Sequence, residues 1–297
     1  MARAALPSGI ELEYDVTGDP SDPTILLVCG FTSQMISWDD DFVALLAAEG
    51  LHVVRFDNRD CGLSTTLDGD MVSPGAVLNA RLAGEDPPPV PYTLSDMAAD
   101  GIGLLDHLGV GEAHVVGVSM GGMIVQTMAI EHPDRVASLT SIMSTTGAPD
   151  VGSPSPEALD VLLAPPAAER ERYIEDALKM KVWLSRKHFE PDAVMALAAA
   201  QYDRRFYPEG ALRQLSAIYT SGDRTEALRG VSAPTLVIHG RDDTLITPSG
   251  GAATAEAVPG SAYLLLSDMG HDRPRPLWPA LVGAIAGHVR ASIPAHV

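Results

Sequence analysis

Cysteine is scarce in this chain. Only Cys29 and Cys61 occur in 297 residues, too few for a disulfide framework, and no CxxC or HExxH spacing offers a metal site. Aromatic residues make up only 5% of the sequence. No apolar run reaches the roughly 18 residues a membrane-spanning helix needs. The first residues, Met1 to Gly9, hold no long apolar stretch, so no secretory signal is expected there. Positive charge is also short: 20 basic residues stand against 39 acidic ones, a net charge of −19. Such a surface repels nucleic acid and anionic membranes, which disfavours both as partners. What is present is apolar residue, 46% of the chain, in a length that fits one large domain or one domain with an insertion. These features predict a globular, cytoplasmic protein.

Six short apolar runs punctuate the sequence: Thr24 to Cys29, His52 to Asp57, Ala113 to Val118, Ser138 to Met143, Pro234 to His239 and Ala262 to Leu266. Runs rich in β-branched residues and without period-two alternation read as strands of a parallel sheet covered on both faces. Helical patterns separate the early ones, over Asp40–Ala48, Thr93–Leu108 and Met120–His132. Thr93-Leu94-Ser95-Asp96 reads as a capping box with Asp in place of Glu, and Gly109 as the stop. Strand and helix in alternation imply right-handed crossovers and an α/β fold. Two stretches break the rhythm. Residues 67–92 read as a long loop closing on Pro87-Pro88-Pro89-Val90-Pro91. Residues 145–230 carry only helical signals, over 156–163, 167–184, 191–205 and 208–220. That block predicts a helical cap (lid) inserted into a core made of residues 1–144 and 231–297.

The chemistry concentrates in Gly117-Val118-Ser119-Met120-Gly121-Gly122, where the third run meets a helix. A serine on so tight a strand-to-helix turn has its Oγ pushed out of the sheet, and bulky flanking side chains would strike the neighbouring strand and helix. The helix N-terminus favours negative charge developing beside Ser119. A serine hydroxyl needs a histidine to take its proton, and the histidine needs a carboxylate to orient it. Of nine histidines, His52, His114 and His239 read as core or strand-edge residues, and His107, His132 and His288 fall in helices or at their ends. His188 lies in the inserted block and His296 in the tail. His271 differs, because it follows the last strand in Asp268-Met269-Gly270-His271-Asp272. Asp242 and Asp243 follow the penultimate run, in the order serine, acid, histidine. Only one of two consecutive side chains can face the imidazole.

With these residues in view, the chain resembles the alpha/beta-hydrolase fold family over nearly its whole length. More narrowly it resembles the bacterial esterase-like group that includes aclacinomycin methylesterase. The segments that carry the likeness are Cys29-Gly30-Phe31, Ser33 to Trp38, Arg55 to Thr65, Gly117 to Met123, Ser141 to Gly147 and Met269 to Asp272. The resemblance implies a mostly parallel central sheet flanked by helices, an inserted lid and a catalytic triad of Ser119, Asp243 and His271. It selects Asp243 over Asp242 because the family's acid falls three residues after the glycine ending the strand, here Gly240. It also implies an oxyanion hole of two backbone amides, those of Phe31 and Met120. Cys29 stands where many relatives have histidine and reads as a small apolar filler.

Gly30, Met35, Trp38 and Met123 are candidates to wall a substrate pocket, a role that competes with plain core packing. Asp57 and Arg59 are expected to pair and hold the loops near the site. The acidic residues Glu169, Glu171, Glu175 and Asp176 read as a solvated helix face. The expected activity is hydrolysis of a small-molecule carboxylic ester through an acyl-enzyme, with no metal and no organic cofactor. A lactonase, a carbon–carbon bond hydrolase, a cofactor-free haloperoxidase and a non-catalytic binding scaffold are the alternatives. No nucleic acid or membrane partner is expected, and a homo-oligomer is left open.

Overall fold

The computed structural model describes residues 1–69 and 72–293, so His296 lies outside the described residues. Eight strands form one sheet: β1 (Ala2–Ala5), β2 (Glu11–Thr17), β3 (Thr24–Val28), β4 (His52–Phe56), β5 (Ala113–Val118), β6 (Val136–Ile142), β7 (Thr235–Gly240) and β8 (Ala262–Leu266). Their spatial order is β1-β2-β4-β3-β5-β6-β7-β8. Strands β3 to β8 are mutually parallel, while β2 runs antiparallel to both β1 and β4.

The apolar runs form strands because successive side chains point to opposite faces and both faces are covered. Ile25, Leu27 and Val53 pack beneath α1 (Asp40–Ala48) and the C-terminal helix Trp278–Ser292. Leu26, Val28 and Val54 pack on the other face under the helices Leu94–His107 and Met120–Glu131. Each fully buried aliphatic side chain contributes about 1.5–3 kcal/mol to this arrangement. The capping box of the Leu94–His107 helix is formed, with Thr93 and Asp96 satisfying each other's backbone.

In chain order the remaining helices are α2 (Pro74–Ala83), α3 (Leu94–His107), α4 (Met120–Glu131), α5 (Pro156–Leu163), α6 (Arg170–Ala177), α7 (Pro191–Arg204), α8 (Glu209–Ser221), α9 (Thr225–Leu228), α10 (Pro248–Ala257) and α11 (Trp278–Ser292). Helices α5 to α9 lie between β6 and β7. No helix among the described residues is long and apolar enough to cross a membrane.

Several expectations need correction. The stretch 67–92 is not all loop, since it contains α2, which opens at Pro74 and stops at the left-handed Gly84. Only Val77 of that helix is buried, so no apolar stripe marks it. Arg81 at its C-terminal end donates to Thr220 O at 2.9 Å, tying α2 to α8. The helix expected over 167–184 ends at Ala177 and gives way to a tight 3₁₀ turn, Leu178–Val182. Just beyond that turn the Trp183 carbonyl accepts from the His271 amide at 2.7 Å. Strand β8 is not covered on both faces: it is a sheet edge, with Tyr263 and Leu265 exposed.

Candidate active site

Four non-glycine residues among those described have positive φ: Thr32, Asp60, Ser119 and Met143. Each follows the C-terminal end of a parallel strand, β3, β4, β5 and β6 in turn. Backbone strain in this fold is thus gathered along one sheet edge, the edge where α/β sheets bind ligands.

Ser119 joins β5 directly to α4 at φ 56°, ψ −121°. Its amide donates to Ile142 O at 2.9 Å, and its carbonyl accepts from Ser144 Oγ at 2.8 Å. The turn is possible only with glycines around it. A Cβ on Gly117 would lie 2.0 Å from Gly121 O, and one on Gly121 would lie 2.3 Å from Val28 O. Strand, turn, helix and the end of β3 are therefore in backbone contact. Gly30 also reaches the serine, since a Cβ there would be 3.2 Å from Ser119 Cβ.

Among the described residues, neither the Phe31 amide nor the Met120 amide has a protein acceptor. Met120 is the first residue of α4, so its free N–H adds to the positive end of the helix dipole. Among the described residues Ser119 Oγ has no protein hydrogen bond either.

His271 follows β8 and bonds to Asp243 after β7, Nδ1 to Oδ2, at 2.7 Å. A carboxylate only accepts, so Nδ1 is the donor of this bond and Nε2 is the ring nitrogen left to face away from Asp243. The other oxygen of Asp243 accepts the Leu245 and Ile246 amides, both at 2.9 Å. The Asp243 side chain is fully buried, and His239 Nε2 stands 3.5 Å from the same Oδ2. Burial pushes the Asp243 carboxyl up, but the charge and hydrogen bonds of His271 and His239 outweigh it and hold it below the usual carboxylate range. Asp242, by contrast, is only half-buried.

The loop carrying His271 is clamped by the inserted segment. Ser185 Oγ accepts from Gly270 N at 3.0 Å and donates to Asp272 Oδ1 at 2.5 Å, while Ser185 N donates to Asp272 Oδ2 at 3.0 Å. His239 and Ser185 were not legible as site residues: one reads as a strand interior, the other as one serine among helices.

The expected Asp57–Arg59 pair does not form. Asp57 pairs with Arg204 of α7 at 2.5 Å, and Arg59 with Asp100 of α3 at 2.6 Å. Asp57 also accepts the Met35 and Leu63 amides, at 2.7 and 2.8 Å, so it joins two site loops to an inserted helix.

Three pocket candidates are core residues. Trp38 is fully buried, stacked on Phe42 and roofed by the Arg273 guanidinium 4.1 Å from its ring. Met35 is buried in the same cluster, and Met123 in the one on the opposite face. Their side chains are used for packing; Met123 meets Ser119 through its backbone, N donating to the serine carbonyl at 3.2 Å, while Gly30 lies against the serine side chain. The Cys29 thiol, fully buried and near Asp57, is pushed up to about 12 and stays protonated, as an inert filler would. Both cysteines are free. Among the described residues no cluster of three or more His, Cys, Asp or Glu is arranged to hold a metal ion.

A sheet of this topology with a strained serine between β5 and α4 defines a known class. The chain belongs to the alpha/beta hydrolase fold family, which residues 23–272 match. It is similar to rhodomycin D methylesterase DauP of Streptomyces sp. (strain C5), 29% identical over 300 residues that cover 93% of each chain. Among solved structures it is similar to a thermophilic esterase from Thermogutta terrifontis, with a TM-score of 0.72 at 25% identity over 98% of both chains. The enol-lactonase from Burkholderia xenovorans LB400 shares the fold, with a TM-score of 0.74 at 24% identity, covering 97% of this chain and 100% of that one.

Proposed function

We propose that this hydrolase cleaves carboxylic esters of small to medium apolar molecules through a Ser119 acyl-enzyme. The observation that carries the reading is the strained Ser119, flanked by the two unspent amides of Phe31 and Met120. The buried Asp243–His271 pair supports it, and so does likeness to a methylesterase.

In this mechanism Ser119 Oγ attacks the ester carbonyl as His271 Nε2 takes its proton. The Phe31 and Met120 amides hold the resulting oxyanion, and Asp243 stabilises the imidazolium. His271 then protonates the leaving alcohol, and the carbon–oxygen bond breaks to leave the acyl-enzyme. A water that gives its proton to His271 attacks the acyl carbon, and the acid departs as Ser119 regains its proton. Helices α5–α9 act as a cap that shields these steps from bulk water.

The test is hydrolysis of p-nitrophenyl esters from acetate to palmitate by the parent protein and by Ser119→Ala. Loss of turnover by a factor of about 10⁴ or more in the variant is expected. Turnover by Ser119→Ala equal to that of the parent would sink the assignment. Asp243→Asn is expected to lower kcat far more than Asp242→Asn, and the reverse ranking would move the acid to Asp242.

A further inference from the structure

The loop that carries the Phe31 amide is held from the inserted helices as well as from the sheet. Gly30 to Ser33 form a turn closed by Ser33 N donating to Gly30 O at 3.2 Å, and Thr32 at its third position has φ 56°. That position of such a turn favours glycine, and a β-branched residue is a costly occupant. Two contacts hold Thr32 in this form: its carbonyl accepts from Cys61 Sγ at 3.3 Å, and its amide donates to Gln214 Oε1 at 2.9 Å. Gln214 lies on α8, is 1% exposed, and donates through Nε2 to Arg59 O at 3.0 Å. A single buried amide therefore joins the loop after β3, the loop after β4 and the insertion. Two residues on, Gln34 Nε2 donates to Gln201 O at 2.7 Å and to Arg205 O at 3.0 Å, a second grip of the insertion on the same loop.

We propose that Gln214 is a positioning residue, which keeps the Gly30–Ser33 turn in the form that aims the Phe31 amide at the oxyanion beside Ser119. The assignment rests on the hydrolase reading above. Seating of α8 is then part of building the oxyanion hole, and ester hydrolysis depends on an insertion residue that touches no reacting atom. The effect falls on the transition state, where negative charge develops on the carbonyl oxygen, and little on the ground-state ester.

The experiment compares parent protein with Gln214→Met, which keeps the side chain's length and loses both hydrogen-bonding groups. The expected result is a kcat lowered roughly 10- to 100-fold, less than loss of a whole oxyanion donor elsewhere, with KM within about threefold. Affinity for a trifluoromethyl ketone, whose hydrate-like adduct with serine carries the oxyanion, should fall in parallel. Thr32→Gly in the Gln214→Met background supplies the residue the turn prefers and should recover about fivefold or more of kcat. Gln214→Glu, which keeps the acceptor for Thr32 N–H, should fall between parent and Gln214→Met, and it carries the test if Gln214→Met does not fold. A kcat within about twofold of the parent, or a lowered kcat with unchanged ketone affinity, overturns the assignment. No recovery on adding Thr32→Gly overturns it too, and makes Gln214 a packing residue of α8. A parent protein without turnover on any ester removes the hydrolase reading and this assignment with it.

Discussion

Arg213 of α8 and Asp60 in the loop after β4 form an ion pair at 2.8 Å, with side chains 4% and 0% exposed. Removing one partner strands the other charge away from water, which costs about 3–5 kcal/mol. Arg213→Met leaves the Asp60 carboxylate with the Leu67 amide at 2.8 Å as its remaining donor to Oδ1. Asp60→Asn keeps that acceptor and tolerates the positive φ, but it leaves Arg213 with the Tyr207 hydroxyl and no counter-charge. The double variant buries no unpaired charge. It should cost no more than about 3 kcal/mol, so the two sites couple by about 3 kcal/mol or more. Urea unfolding at pH 7.5, followed by far-ultraviolet circular dichroism and tryptophan fluorescence, measures all four corners of this cycle. Adding 0.5 M salt should change the coupling little, because a buried pair is poorly screened. Single variants costing less than about 1 kcal/mol, or a double variant whose cost is the plain sum, would refute the reasoning.

The glycines of the serine turn and the buried histidines offer two further tests. Gly121→Ala places a Cβ 2.3 Å from Val28 O, a backbone atom that cannot swing aside, so a loss of about 2–3 kcal/mol in thermal or urea unfolding is expected, and a neutral result would contradict the packing of α4 on β3. His114 is held down from 6.5 to about 4, first by burial and then by repulsion from His288, and its Nδ1 lies 2.8 Å from Ser138 Oγ. Because the unfolded chain takes up the proton more readily, its contribution is complete above pH 6.5 and is lost as pH falls toward 4, by at most about 3 kcal/mol. His114→Gln should flatten that part of the stability profile, and an unchanged slope between pH 6.5 and 4 would rule the histidine out as its source.

Much of the sheet could be read from the residues because strands covered on both faces leave uninterrupted apolar runs. Thr24 to Val28 and Ala113 to Val118 are such runs, and each is a strand in the fold. β1 and β2 escaped that reading. Ala2–Ala5 is short and mostly exposed, and Glu11–Thr17 buries the adjacent Leu12 and Glu13 among exposed and half-buried residues, with no period-two pattern. They are strands because β4 offers an edge to pair with, a partner that no local pattern announces.

The candidate site divides in the same way. A glycine-flanked serine at a strand–helix junction and a histidine in the loop after the last strand are local patterns, so Ser119 and His271 were legible as residues. The imidazole's partner was not legible from the residues themselves, since Asp242 and Asp243 are chemically alike. Only the turn after β7 directs Asp243 onto His271 and brings His239 against the same carboxylate.

The sequence by itself therefore determined the six apolar strand runs, the helical character of the insertion and the tight glycine-flanked turn at Ser119, because periodicity and backbone sterics act within a few residues. Tertiary structure alone decided where Asp57 and Arg59 find their partners, with Arg204 and Asp100 respectively. It also turned Trp38, Met35 and Met123 into core and brought Gln214 to the loop beside Ser119. Those contacts join residues tens to well over a hundred positions apart. Their geometry exists only once the sheet has ordered its strands and the insertion has packed against the sheet's C-terminal edge.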